Sequence, residues 1–311
     1  MKVLSGIDGF DALVGGGLPE GASIVLRGPS GNEKDTFALQ FLVEGLRSGE
    51  AAVIVVSSSS PKQYLESLSK HGVDVREAVA GNRLKIVDWH SYQEESIAGV
   101  EERDHVFRCS VDLTNVGIAL SRALATLAPG LSKRAVLEIL SPALQVFELG
   151  AVYAFAQSSK AKLARHDVTA LFLLEKEMHD PAPVSSVSQP FDGVIEIDRR
   201  REGDAIVRKM GVLSMKDTVP DPNFHPFTIL PGTGIRVQGG PEASRRAVAG
   251  RGAPEKAAAR APSAAERVLR IAEERLRVDP TDADALFAKA SALATIGDLR
   301  SALVALDALS T

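Results

Sequence analysis

The sequence is nearly devoid of cysteine. Cys109 stands alone, which excludes an internal disulfide framework and any cysteine-rich zinc site and fits a reducing compartment. Long hydrophobic runs are also missing: no stretch approaches the roughly 20 apolar residues of a membrane span, and the opening MKVLSGIDGF lacks the apolar segment of a secretory signal. Nor is there an excess of charge of one sign, since 36 Lys and Arg against 40 Asp and Glu leave a formal net charge of −4. That balance offers no electrostatic case for non-specific nucleic-acid binding. With 311 residues and 45% hydrophobic content, the chain has material for one large domain and a small appendage. The expectation is a soluble, cytoplasmic protein with no membrane contact.

The most informative stretch runs from Ala22 to Glu50. It reads as a buried strand (Ala22 to Leu26), a turn (Gly28, Pro29, Ser30, Gly31) and an amphipathic helix carrying Phe37, Leu39, Phe41, Leu42 and Leu46. This is the setting of a phosphate-binding P-loop, with Gly28 and Lys34 where G-x-x-x-x-G-K-[ST] places its first Gly and its Lys. Two positions depart from it: the second motif glycine is Glu33, and the magnesium-binding hydroxyl is Asp35. A P-loop gathers backbone N–H groups and a helix N-terminus around an anion. Two carboxylates beside that nest repel a polyphosphate unless a cation intervenes, so triphosphate binding is expected to be weak or lost. Asp35 as a direct Mg²⁺ ligand stays open, and Lys34 reads either as a phosphate ligand or as an ordinary first-turn lysine.

Along the chain, LSGIDGFDALVGGGLPEG supplies a glycine-rich entry with one helical turn around Phe10, Leu13 and Val14. Strands at AAVIVVS and RLKIVDW flank a helix, QYLESLSKHG, and a polar excursion of little periodicity follows from His90 to Cys109. A helix capped by Asp112 or Thr114 comes next, then the strand RAVLEIL, one long helix from Pro142 to His166, and the buried strand VTALFLLEKE. Strands alternating with helices imply a parallel sheet covered on both faces. From Phe191 the pattern becomes strands alone, GVIEIDRR, AIVRKMGVLSM and FTILPG, with a turn near Arg201 to Asp204, which predicts a closing β-hairpin.

Three regions follow: an α/β domain over residues 1–238, a basic linker over 239–263 that has too few apolar residues for a core, and a helical segment over 264–311. The last carries tetratricopeptide-like (TPR-like) spacing, with Pro280 closing one helix and Leu286, Ala290, Leu293, Gly297, Ala302 and Leu306 at packing positions. About one and a half repeats are present, fewer than the roughly three that stand alone, so this end is expected to lean on the domain, another copy or a protein partner.

Four segments, GIDGFDALVGGGLPEG, GPSGNEK, ALQFLVEG and FDGVIEI…VLSMK, together resemble the KaiC-like, archaeal-type branch of the RecA-type P-loop ATPases over Leu4 to Val237. The resemblance implies a RecA-type fold, ATP and Mg²⁺ at the loop, and ring or filament assembly in which a neighbour completes the site. It also exposes departures. The family's glutamate pair after the second strand falls on Ser57, Ser58, Ser59 and Ser60, and serine is too weak a base to activate water at neutral pH. The Walker B Asp-Ser falls on Glu138 and Ile139. Glu138 is thus either a Mg²⁺-shell carboxylate or a solvated strand end. The trans-acting Lys-x-Arg pair falls on Ser214 and Lys216, leaving one possible trans contact, Lys216.

The sequence reading is therefore a degenerate P-loop domain, a pseudo-ATPase working in regulation or scaffolding through its TPR-like helices, as a homo-oligomer or in a mixed ring with a KaiC-like homologue. The alternative is an active RecA-type ATPase in DNA recombination, repair or signalling. Gly28, Ser30, Gly31, Lys34, Asp35 and Thr36 are the nucleotide contacts expected if one binds; no residue is assigned as catalytic and nucleic acid is not an expected partner. A weaker metal-site reading gathers His90, Glu94, Glu95, Glu175, Glu177, His179 and Asp180 without any recognised ligand spacing. Trp89 and Phe107 read as an adenine platform or as plain core.

Overall fold

The structure is a computed structural model that describes residues 1–91, 97–238, 269, 271–272, 275–276 and 282–296. It divides into two compact units, Met1–Ala249 and Gly250–Thr311.

In the first unit, β1 (Lys2–Val3) and β2 (Leu18–Pro19) form a small antiparallel pair around a 3₁₀ turn at Asp11–Val14. The main chain of strands and helices then begins with β3 (Ser23–Gly28), α1 (Asn32–Arg47), β4 (Ala51–Val56), α2 (Pro61–Lys70), α3 (Val75–Ala80) and β5 (Leu84–Asp88). It continues with β6 (Val100–Arg103), β7 (Val106–Cys109), α4 (Leu113–Ala125), β8 (Lys133–Leu137), α5 (Leu140–Val146), α6 (Leu149–Arg165), β9 (Val168–Glu175) and α7 (Pro181–Ser188). The end of the unit is all strand: β10 (Gly193–Glu202), β11 (Ala205–Met215), β12 (His225–Leu230) and β13 (Gly234–Val237).

Among the described residues, eleven strands make one sheet in the order β13-β12-β11-β10-β3-β9-β8-β4-β5-β7-β6. Its centre, from β10 through β3, β9, β8, β4 and β5 to β7, is parallel, and the hairpins at either end are antiparallel. The apolar runs of β3 and β4 alternate between the two faces: Ile24, Leu26, Ile54 and Val56 pack with α1 and α2 residues such as Phe37, Phe41 and Leu68. Val25, Val53 and Val55 pack on the other face with α4, α6 and α7 residues such as Leu120, Phe155 and Val187. Two-sided burial is why these strands read as unbroken hydrophobic stretches.

Three expectations are corrected. The helix drawn from Pro142 to His166 is two helices, because Phe147 is extended (φ −121°, ψ 154°) and Glu148 caps a new start. The break turns Phe147 and Leu149, with Leu144, onto the core. The polar excursion after His90 contains the β6–β7 hairpin, whose strand β7 buries alternate residues Phe107 and Cys109 and runs parallel to β5. Its two-residue turn puts Asp104 at φ +55°, a conformation Asp tolerates better than most residues. Finally, β13, unanticipated in the sequence, pairs with β12 and brings Val237 N to Asp8 O.

In the second unit, α8 (Ala283–Ile296) starts at Asp282, whose carboxylate accepts from Ala285 N and pairs with Arg275. Leu286, Ala290 and Leu293 are buried. The linker over 239–263 and positions Gly297, Ala302 and Leu306 lie outside the described residues.

Candidate functional site

All the parallel strands end at one edge, where open α/β sheets hold their ligands. There Gly28 pairs in register with Glu175, Val55 with Leu137, and Val56 with Asp88. The side chains that follow, Lys34, Ser57, Ser58, Glu138 and Glu175, therefore converge on one small cleft, also lined by Asp35, Ser141 and Pro142. It continues into a cleft of ≈ 400 Å³ lined by Asp35, Leu39, Ser58, Ser59, Gln63, Tyr64, Ser67 and Glu138. A larger cleft of ≈ 630 Å³ lies where α5 gives way to α6, but it includes no P-loop residue.

The loop itself is bonded inward. Lys34 is only 1% exposed; its Nζ donates to Pro29 O and lies 3.9 Å from Glu175 Oε1. Burial pulls the Lys34 pKa down, opposed by the charges of Glu175, Asp35 and Glu33. Ser30 Oγ donates to Glu175 Oε2 at 2.8 Å, and Glu175 N donates to Ser141 Oγ at 2.7 Å. Thr36 Oγ1 donates to Asn32 O within its own helix. Gly28 ends β3 against Ile197, and Gly31 precedes α1 at φ +148°, where an added Cβ would lie 2.6 Å from Arg199 Nη1.

Glu33 corrects the repulsion argument. It is 1% exposed and does not face the nest as a free charge. Arg208 Nε donates to it at 2.9 Å and Arg199 Nη1 lies 3.4 Å away, while Arg199 Nη2 donates to Ser30 O at 2.7 Å. Burial alone would raise the Glu33 pKa, but the Arg208 hydrogen bond, a backbone N–H and the two guanidinium charges hold it below the ordinary glutamate value. Its stabilising contribution is therefore present above the ordinary value of 4.5 and lost as pH falls through the lowered folded value. An acid titration followed by circular dichroism is expected to show this loss below pH 4.5 in the native chain and not in Glu33→Gln.

Asp35 and Glu138 face each other across the cleft. Glu138 is 8% exposed, and burial, then the Asp35 charge, pushes its pKa up to about 7 against hydrogen bonds from Ser58 and Tyr64. Ser57 Oγ donates to the Glu138 carbonyl. Asp35 is exposed at the cleft mouth, yet the protein packed around it raises its pKa, as do Glu175 and Glu33, with Lys34 opposing. Burial and the Asp35 charge thus both disfavour the ionised form of Glu138 in the structure as it stands.

The family model described as "ATPase: KaiC" matches residues 3–242. The chain belongs to the KaiC ATPase family. Relatives include the circadian clock oscillator protein KaiC of Acaryochloris marina, 27% identical over 235 residues, covering 73% of this chain and 42% of that protein. A UPF0273 protein of Pyrococcus furiosus is 26% identical over 230 residues, covering 73% of this chain and 90% of the relative. This chain thus spans less than half of the Acaryochloris protein. In fold, a KaiC-like protein of Pyrococcus horikoshii superposes with a TM-score of 0.60 at 24% identity, covering 76% of this chain and 98% of the other.

Within this KaiC-family domain, the structure brings Lys34, Asp35 and Glu138 together in one cleft, ties Ser30 to it through Glu175, and places Gly28 at the end of β3, Gly31 just before α1 and Thr36 one position further along that helix. Lys216 lies apart, exposed just after β11, its backbone N–H donating to Asp192 O. Glu138 is a buried cleft residue, so the solvated strand-end reading is set aside. Trp89 and Phe107 are core: Trp89 is buried with its Nε1 donating to Val111 O, and Phe107 is fully enclosed. Among the described residues no group of three or more His, Cys, Asp or Glu is placed to hold a metal, while Glu94 and Glu95 lie outside them.

Sequence reasoning missed Arg199, Arg208, Tyr64 and Ser141. A signal for the arginines exists: Arg199 continues the inward series Ile195, Ile197, and Arg208 continues Met210, Val212. Two arginines at the polar end of an apolar face require an anion opposite.

Proposed function

We propose that this KaiC-family chain is a pseudo-ATPase, with ATP and Mg²⁺ binding weak or lost, that acts as a regulatory or scaffold protein through protein contacts. The observation that carries the reading is the self-satisfied loop: the one motif cation, Lys34, is engaged by Pro29 O and Glu175. The donor set departs from the one the family resemblance implies for Mg²⁺ and a triphosphate: Asp35 stands at the loop hydroxyl position, Glu138, its pKa pushed up to about 7 by burial and Asp35, stands at the Walker B position, and no carboxylate occupies positions 57–60. The degenerate domain over 1–238, the basic linker and the TPR-like segment over 264–311 make an arrangement suited to presenting a partner-binding surface. Assembly with a second copy or with an intact KaiC-like homologue, through Lys216, belongs to the same proposal.

The second reading, an active ATPase serving DNA recombination, repair or signalling, draws on Glu138, whose pKa of about 7 is that of a group poised for proton transfer. Titration with a fluorescent ATP analogue, with and without Mg²⁺, separates the two. The native chain is expected to give no saturable signal, and a Glu33→Gly, Asp35→Thr double variant to bind at least about tenfold more tightly. Tight Mg²⁺-dependent binding by the native chain, with turnover removed by Glu138→Gln, would replace the pseudo-ATPase by the enzyme.

A further inference from the structure

Arg199 and Arg208 are direct cross-strand partners on the β10–β11 hairpin. Like charges in that position repel and destabilise a sheet, yet both side chains point to the same side and are only about one-third exposed, 33% and 31%. What reconciles them is Glu33, buried between them in the first turn of α1. Arg199 also reaches past Glu33 to the loop carbonyl of Ser30. The hairpin is therefore tied to both the loop and the loop helix by one carboxylate and two guanidinium groups, an arrangement with the charge and planar donor forks that bind phosphate.

We propose that Arg199–Glu33–Arg208 is an autoinhibitory clamp, in which Glu33 stands where an external anion would sit and holds the hairpin closed on the P-loop. This deepens the pseudo-ATPase reading and rests on it for its consequence, since the clamp withholds two arginines from any incoming polyanion. The other charged groups near the loop do not replace Glu33 in this role. Lys34 and Glu175 are engaged with the loop and each other, and Asp35 faces Glu138. Asp198 points to the opposite face, where it meets Lys176 and Arg200. The clamp is closed at neutral pH because its carboxylate is ionised and its guanidinium groups never lose their charge.

The test uses the full chain, pyrophosphate without metal as the probe, and amide hydrogen exchange over residues 195–210 as a readout independent of nucleotide. In Glu33→Gln, exchange in the outer hairpin is expected to quicken about tenfold with no anion present, and pyrophosphate affinity to rise about tenfold over the native chain. Adding Arg199→Ala and Arg208→Ala to Glu33→Gln should abolish that gain. Arg208→Gln provides a second variant that leaves Glu33 paired with Arg199: it should quicken exchange without gaining pyrophosphate. Unchanged exchange in a folded Glu33→Gln or in Arg208→Gln would overturn the clamp, as would a pyrophosphate gain that survives loss of both arginines. Failure of the pseudo-ATPase reading alone would show instead as native ATP binding in the Mg²⁺ titration, with the exchange response intact.

Discussion

Arg134→Met is expected to cost about 3–5 kcal/mol of stability, the usual penalty for breaking a buried ion pair from one side. Arg134 is 2% exposed and sits on β8, where its Nε and Nη2 meet both oxygens of Glu50 at 2.6 and 2.8 Å. Its Nη1 donates to Leu4 O at 2.7 Å and to Phe41 O at 2.8 Å, and the guanidinium carbon lies 4.7 Å over the Phe41 ring. One side chain thus joins the N-terminal segment, α1, the α1–β4 turn and the central sheet. Methionine would fill much of the volume but leave Glu50 unpaired and two carbonyls without this donor. Chemical denaturation should show the loss as a lowered midpoint at unchanged slope, and the double variant Arg134→Met, Glu50→Gln should recover part of it by removing the stranded charge. Gly45 provides a coupled check. A Cβ there would lie 2.4 Å from Arg134 Nε, so Gly45→Ala should cost about 1–3 kcal/mol by overpacking in the native chain and much less in the Arg134→Met background. A neutral Arg134→Met would mean that the network contributes nothing over an apolar replacement.

The second large effect is on pH dependence. Glu138 moves from an ordinary glutamate value of 4.5 to about 7 on folding. Between those values the folded chain holds a proton that the unfolded chain has released, so stability is greatest below the lower value and falls as pH rises through the upper one. The difference is about 3 kcal/mol by pH 8, and the raised Asp35 adds in the same direction. Glu138→Gln keeps an oxygen for the Ser58 and Tyr64 hydroxyl groups and removes the charge. It should be close to neutral at pH 5 and stabilising by about 3 kcal/mol at pH 8. Denaturation curves at the two pH values decide this: a variant no more stable than the native chain at pH 8 would mean that Glu138 is ionised without cost.

Much of the domain is legible from the sequence because its signals are local. Runs such as AAVIVV can only be strands buried on two faces, and Asp112 caps α4 through Thr114 N as its place before an apolar-periodic run suggests. Segments whose structure depends on remote partners were not legible. Strand β7 is only four residues long and acquires its identity by pairing with β5, and the break at Phe147 follows from where the core needs that ring.

The candidate site divides along the same line. Residue identities alone determined that Glu33 and Asp35 stand where the P-loop pattern has its second glycine and its hydroxyl, that positions 57–60 carry no carboxylate, and that Gly28 and Lys34 keep the pattern's places on a strand–loop–helix unit. Only the tertiary structure decided what Glu33 and Glu138 are. Glu33, a repulsive charge when read beside its neighbours, is neutralised by arginines 166 and 175 residues away. Glu138, an ordinary strand-end carboxylate when read along the sequence, has its pKa pushed up to about 7 because burial and Asp35 oppose its charge. The energy of an ionisable group depends on the solvent it loses and the charges it meets, and both are properties of the folded chain.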